Sequence, residues 1–129
     1  MDAKKIKNAL IRQKENNLSG NLYYKTQIDF AYNTNHIEGS TITPDETESI
    51  YETGTILTSE DKVIVIKDIT ETKNHFTLFK YMLDTINEPL SEDMIKKYHF
   101  ILIIVVSVRW YFKRSCQYKK YRKELFNGN

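Results

Sequence analysis

The chain has 129 residues, of which 40% are hydrophobic and 28% charged. These values are typical of one globular domain and exclude a fibrous or a disordered chain. The formal net charge is +2, but residues 1–108 carry 12 basic and 16 acidic side chains, a balance of −4, whereas residues 109–129 carry 7 basic and 1 acidic, a balance of +6. The chain therefore combines an acidic body with a basic tail.

Cysteine content and the amino-terminal sequence indicate a compartment. Cys116 is the single cysteine, so no internal disulfide can form, and a reducing environment fits best. Lysines near Met1 are followed by amphipathic sequence and not by the apolar core and cleavage site of a signal peptide. The apolar run over 100–108 is well short of the roughly 20 residues that a membrane-spanning helix needs. We expect a cytoplasmic protein with no transmembrane segment.

The first forty residues predict two amphipathic helices, one over 2–16 and one over 22–37. Asp2 is placed to cap the first helix. In the second, apolar side chains recur every seven residues and form one broad stripe: Tyr23, Phe30 and Ile37. Gly39 is expected to end this helix.

Residues 43–46 give the clearest local signal in the sequence. Thr43 can cap a helix, Pro44 suits its first position, and Glu46 can reach back to the cap. Such a capping box is worth roughly 1 kcal/mol. The sequence therefore predicts a short helix that starts after Thr43 and ends at Gly54.

Two β-prone runs follow, over 55–57 and 63–66, and polar residues 59–62 separate them. This pattern predicts a small β-hairpin. An isolated hairpin is weak, so we expect it to lean on the helices.

Two further helices complete the predicted body. Asp68 and Glu71 repeat the capping pattern before a helix that runs to about Ile86, and Pro89 separates it from a helix capped by Ser91. In the first of these helices three apolar side chains are expected in the core: Phe76, Phe79 and Leu83. In the second the expected inner face is Met94, Ile95, Tyr98 and Leu102. The predicted fold class is all-α, with about five helices and one small β-hairpin.

The amphipathic pattern stops at Leu102, and a basic, aromatic tail follows. Its residues 109–123 could bind nucleic acid through cations and stacking aromatic rings, or lie on an anionic membrane surface. The alternative is a segment read out of register or otherwise unrelated to the sequence before it. The abrupt onset favours this alternative, and nucleic acid is not an expected partner.

Residues 34–39, Thr-Asn-His-Ile-Glu-Gly, resemble the Ser/Thr-x-x-x-Glu-Gly/Asn signature of the inhibitory helix in Fic-family proteins. Residues 71–76 look like the Glu-x-x-Asn-His start of a core helix of that family. Residues 95–102 are similar to its Ile-x-x-x-His-x-x-Leu helix. The resemblance covers about residues 1–102 and stops there.

The resemblance implies a partial helical Fic-like (Fido) fold in three parts. Residues 1–40 would form the amino-terminal helices with the inhibitory helix, 41–102 the first part of the core with its hairpin, and 103–129 a divergent tail. The hairpin resembles the family's flap, which holds a target protein by strand addition. The flap candidates are Val63, Ile64, Val65 and Ile66.

The resemblance implies that Glu38 supplies an inhibitory carboxylate and that Thr34 orients it. Gly39 would end the inhibitory helix. Such a carboxylate pairs with an arginine of the catalytic motif and occupies the space of the nucleotide's terminal phosphate. Thr34 lies one helical turn before Glu38, so its hydroxyl can orient the carboxylate. The alternative is a solvated glutamate before a glycine. Asn74 and His75 would be core positions, and the alternative for them is an ordinary exposed helix start.

The family transfers AMP from ATP to protein hydroxyls with magnesium, but its signature His-x-Phe-x-Asp/Glu-Gly-Asn-Gly-Arg-x-x-Arg does not occur in this chain. That signature supplies the base, the metal-holding acid and the phosphate-binding turn and arginines. We therefore assign no catalytic residue and no metal ligand, and expect no ATP or magnesium to bind the chain alone. The predicted partners are a complete Fic enzyme inhibited in trans, a target protein, or a second copy of the chain.

Overall fold

The structure, a computed structural model, describes residues 2–16, 18–58 and 61–103, and within these ranges it is all-α. Five helices and no strand occur there, which confirms the predicted all-α class and the number of helices. The helices are α1 (Ala3–Asn16), α2 (Leu22–Ile37), α3 (Pro44–Thr53), α4 (Ile66–Asp84) and α5 (Glu92–Ile103). The predicted tail lies outside the described residues except for Ile103.

Side-chain caps start three of the helices as predicted. The backbone N–H of Glu46 donates to the Thr43 hydroxyl at 3.1 Å, and the N–H of Thr43 donates to the Glu46 carboxylate at 2.9 Å, so the capping box of α3 is complete. Asp2 accepts from the N–H of Lys4 at 3.0 Å. The Ser91 hydroxyl accepts from the N–H of Met94 at 3.1 Å. Each cap satisfies a backbone donor that the first turn of a helix leaves without a partner.

The start of α4 differs from the prediction. The helix begins at Ile66, after Val65, and no side chain caps it. Asp68 lies inside the first turn, where its N–H donates to the Val65 carbonyl at 3.0 Å. A carboxylate in this turn interacts favourably with the helix dipole without being the cap.

The predicted hairpin over 55–66 is wrong for the described residues. Val63, Ile64 and Val65 have no strand partner there, and Ile66 already belongs to α4. The Lys62 ammonium donates to the Thr41 carbonyl at 2.9 Å and to the Glu46 carboxylate, which ties the segment to the start of α3. Leu57 and Val63 are both more than four-fifths exposed, so the two runs share no packed apolar face on which a hairpin could rest.

An apolar cluster joins α1, α2 and α4. It consists of Leu10, Tyr23, Phe79 and Leu83, and the rings of Tyr23 and Phe79 lie 5.7 Å apart. This confirms Phe79 and Leu83 as core residues. Phe76 is half-buried, and its ring packs edge-on against Tyr51 of α3 at 4.9 Å. Burial of each large side chain contributes about 1.5–3 kcal/mol.

Helix α5 packs antiparallel along α4. At one end the hydroxyls of Thr85 and Tyr98 are 3.0 Å apart, and at the other the Asn74 amide donates to the Leu102 carbonyl at 3.0 Å. Met94 is buried as predicted, but Ile95 is exposed, so the prediction that Ile95 lies on the inner face is wrong. Helical spacing puts Ile101 on the same face as Met94, and Ile101 is buried. Within the described ranges no helix has the length and apolar character needed to cross a bilayer.

Candidate functional site

The end of α2 is a Schellman turn that displays Glu38. The N–H of Gly39 donates to the His36 carbonyl at 3.1 Å, and the N–H of Ser40 donates to the Asn35 carbonyl at 2.9 Å. Gly39 has φ +98°, a conformation that costs residues with a Cβ about 1–2 kcal/mol. Glu38 is the last residue before this turn. The positive φ of this turn is by itself enough to explain why the residue after Glu38 is glycine.

The Glu38 carboxylate is exposed and forms no hydrogen bond or ion pair with another described residue. Thr34 is half-buried one turn earlier, but its hydroxyl does not hydrogen-bond Glu38. The backbone of α2 links the two positions instead, because the N–H of Glu38 donates to the Thr34 carbonyl at 3.3 Å. Thr34, Glu38 and Gly39 therefore lie together at one helix end, with the carboxylate available to a partner.

A buried polar contact anchors this helix end to α4. The Asn35 amide donates to the Thr72 hydroxyl at 3.1 Å, and that hydroxyl donates to the Asp68 carbonyl at 2.8 Å. Asn35 and Thr72 are both buried, and the Asn35 carbonyl oxygen has no partner among the described residues. Sequence analysis missed Asn35, although its spacing from Ile28 and Ala31 places it on the inner face of α2.

His75 is buried beside this contact and is only 4% exposed. Its ring packs edge-on against Phe30 at 5.5 Å, and its Nδ1 has no described partner. Burial lowers the pKa of His75, and the negative charge of Glu38 offsets part of that effect. The exposed-helix-start interpretation is therefore wrong for His75. Asn74 is half-buried and holds the end of α5.

The flap candidates, residues 63–66, lie near the end of α2. Lys62 precedes them, and its contact with Thr41 places the segment close to the chain that follows Gly39. Three of the four candidates are exposed, Val63, Val65 and Ile66, whereas Ile64 is half-buried. Val63, Ile64 and Val65 therefore lie outside any strand of the described residues, and Ile66 begins α4.

A second polar cluster, not found from the sequence, joins α2 to α3. The Tyr24 hydroxyl donates to the Glu48 carboxylate at 2.8 Å and also contacts the Glu52 carboxylate. Burial and these two acceptors raise the pKa of Tyr24. A cavity of about 370 Å³ beside them is lined by Ser19, Tyr24, Tyr51 and Glu52. The sequence could have indicated this cluster, because Glu48 and Glu52 are one helical turn apart and so lie on the same face of α3.

The described residues do not fit the nucleotide and magnesium of the Fic reaction. Within 2–16, 18–58 and 61–103 no group of three or more His, Cys, Asp or Glu side chains could hold a metal ion. The glycines in these ranges, Gly20, Gly39 and Gly54, are isolated turn residues and form no glycine-rich phosphate loop. We derive no reaction step through either group.

Comparisons with known proteins supply no assignment. No protein-family model matches the chain, and a search of curated proteins finds no significant match. The functional interpretation therefore depends on the residues themselves, above all on the geometry around Glu38.

Proposed function

We propose that the chain is a catalytically silent relative of the Fic adenylyltransferases that carries an inhibitory-type helix. The observation that carries the proposal is the end of α2, where Glu38 of the signature over 34–39 is exposed and lacks a described partner. The order of helices around it supports the resemblance. The single cysteine supports a cytoplasmic location.

The proposed silence has a chemical reason. The sequence contains no motif that would supply a base, a metal-holding acid and phosphate-binding arginines together. The test is incubation of the purified chain with labelled ATP, magnesium and a cell lysate, with a complete Fic enzyme as the positive control. We expect no AMP on any protein, and magnesium-dependent labelling by this chain would contradict the proposal.

A second function, inhibition of a complete Fic enzyme in trans, is favoured by the exposure of Glu38. A carboxylate without an ion pair can accept two parallel hydrogen bonds from an arginine, and such charge-assisted bonds are among the strong ones. The buried Asn35–Thr72 contact holds this helix end in place against α4. The carboxylate is therefore presented from an anchored element and not from a loose loop.

The matched experiment titrates the chain into a Fic enzyme that lacks its own inhibitory helix and measures AMP transfer. We expect activity to fall with the wild-type chain. Glu38→Gln should weaken inhibition about 10- to 100-fold, because a hydrogen bond to a charged group contributes about 1.5–3 kcal/mol. Glu88→Gln, an exposed glutamate between α4 and α5, is the control and should inhibit like wild type. Unchanged AMP transfer at saturating wild-type chain would refute inhibition in trans.

A further inference from the structure

The cavity between α2 and α3 has a largely aromatic wall, and we call it the tyrosine cavity. The rings of Tyr24 and Tyr51 line it and meet edge-on, with their centroids 5.3 Å apart. Ser19 and Glu52 also line it. Its volume of about 370 Å³ lies in the range of small-ligand sites, roughly 300–1,000 Å³. Tyr24 is about 20 Å along α2 from Glu38, so this cavity is separate from the proposed inhibitory carboxylate.

Contacts within the protein hold the wall of the tyrosine cavity in place. Gln27 is only 3% exposed, and its side-chain amide donates to the Tyr51 hydroxyl at 3.0 Å. The Tyr51 ring also packs edge-on against Phe76 of α4 at 4.9 Å. Tyr24 is 8% exposed. Both rings are therefore positioned without a ligand, and a preformed wall lowers the free-energy cost of binding one.

Two carboxylates share one proton donor at this cavity. The Tyr24 hydroxyl contacts the carboxylates of Glu48 and Glu52, so an oxygen of one lies within about 6 Å of an oxygen of the other. Burial and these two acceptors raise the pKa of Tyr24, so the hydroxyl keeps its proton at neutral pH. A tyrosine hydroxyl has one proton to donate and cannot satisfy two carboxylates at once.

The negative charge of this pair is not compensated by the part of the chain that the structure describes. Within residues 2–16, 18–58 and 61–103 no lysine or arginine forms an ion pair with Glu48 or Glu52. Like charges one helical turn apart destabilise a helix by a few tenths of a kcal/mol. A cation bound in the cavity would remove this repulsion and supply the missing hydrogen-bond donors.

The aromatic wall favours an organic cation. Calcium ions take six to eight oxygen ligands, whereas aromatic rings attract a cation that lies within about 6 Å of the ring centroid. A guanidinium group is planar, stacks on aromatic rings and donates two parallel hydrogen bonds to a carboxylate, and it is less strongly hydrated than an ammonium group. We propose that the tyrosine cavity binds a guanidinium group, with Glu52 and Glu48 as its acceptors and the rings of Tyr24 and Tyr51 as its wall.

The test titrates Nα-acetyl-arginine amide into the full-length chain and follows backbone amide signals by NMR. We expect saturable shifts near Ser19, Tyr24 and Glu52. Glu52→Gln should weaken binding about 10- to 100-fold, because it replaces a charged acceptor with a neutral one. Glu88→Gln removes the same charge from an exposed position between α4 and α5 and should bind like wild type. Glu52 is exposed, so far-UV circular dichroism should show that its variant remains helical.

Two ligand controls use the wild-type chain and need no variant. Nα-acetyl-citrulline amide has nearly the same shape without the charge, and Nα-acetyl-lysine amide carries an ammonium group. We expect both to bind at least about 10-fold more weakly than the arginine compound. Equal binding of either control would overturn the proposal. The absence of saturable shifts in wild type would also overturn it, as would wild-type binding by Glu52→Gln.

Free arginine distinguishes two sources of the guanidinium group. Its α-carboxylate adds a negative charge that the acetylated amide lacks. Binding of the acetylated amide at least as tight as that of free arginine would support the proposal and assign the group to an arginine side chain of a polypeptide. Tighter binding of free arginine would support the proposal with the free amino acid as the ligand.

Discussion

At the scale of single residues, His75 is the group whose chemistry depends most on the fold. It is buried against Phe30, and burial lowers its pKa in the folded chain, with Glu38 offsetting part of the effect. Between the lowered pKa and the ordinary value of 6.5 the unfolded chain binds a proton that the folded chain does not. The stabilisation from neutral His75 is therefore complete above about pH 6.5 and is lost as the pH falls.

We expect the free energy of unfolding to decrease below pH 6.5, by at most about 1.4 kcal/mol per pH unit for one proton. Urea denaturation at a series of pH values measures this slope. His75→Gln should flatten it, because glutamine does not titrate, whereas His99→Gln at an exposed position should retain it. A slope that is the same in wild type and His75→Gln would show that the acid sensitivity arises elsewhere.

The same residue shows what sequence patterns miss. His75 falls one turn after Thr72, and its burial depends on Phe30, which is 45 residues earlier in the chain. The Asn35–Thr72 contact likewise joins positions 37 residues apart. Local spacing assigned each residue to a helix but contained no information on which helices face one another. The end of α2 before Gly39 was predictable because a helical pattern and a glycine are both local features.

At the scale of elements, the contrast between α3 and the segment before α4 is informative. The start and end of α3 were predictable because each signal residue contacts backbone no more than one helical turn away. These residues are Thr43, Pro44 and Glu46 at the start and Gly54 at the end. The hairpin failed because β propensity depends on context. Among the described residues, Val63, Ile64 and Val65 have no strand partner, and Lys62 contacts Thr41 and Glu46 instead. Glu46 thus serves both the capping box and this anchor.

The Lys62 anchor should contribute measurably to stability. Burial alone would raise the pKa of Glu46, but hydrogen bonds from Lys62 and Thr43 lower it below its ordinary value. Its stabilisation is therefore present above about pH 4.5 and is lost as the pH falls through the lowered pKa. Lys62→Met leaves a buried carboxylate without its charged partner, and we expect the free energy of unfolding to fall by about 1–3 kcal/mol.

A matched pair of variants isolates this effect. Lys67→Met removes an exposed lysine that pairs with Glu71 at 3.7 Å within α4, and exposed pairs of this spacing contribute only about 0.3–0.5 kcal/mol. Chemical denaturation of both variants at pH 7 gives the comparison. Equal losses would mean that the Lys62–Glu46 contact is no stronger than a surface ion pair.

At the scale of the whole molecule, one small apolar cluster joins three of the five described helices. Leu10, Tyr23, Phe79 and Leu83 come from three helices, and each of these helices has an exposed opposite face. A domain of about this size has a free energy of unfolding of only about 5–15 kcal/mol. One side chain in the cluster therefore carries a large share of the total, and Leu10 is the one buried residue that α1 contributes.

Leu10→Ala should lower the free energy of unfolding by about 2–5 kcal/mol, because it removes buried methyl groups and leaves a cavity between α1, α2 and α4. Leu18→Ala changes the same side chain at an exposed position after α1 and should change stability by less than about 0.5 kcal/mol. Denaturation followed by far-UV circular dichroism tests both in the full chain. If the Leu10→Ala variant unfolded in two steps and lost only the helical signal of α1 in the first, α1 would unfold independently of α2 and α4. A single transition at lower denaturant would instead show that the three helices unfold together, which is the result that a shared core requires.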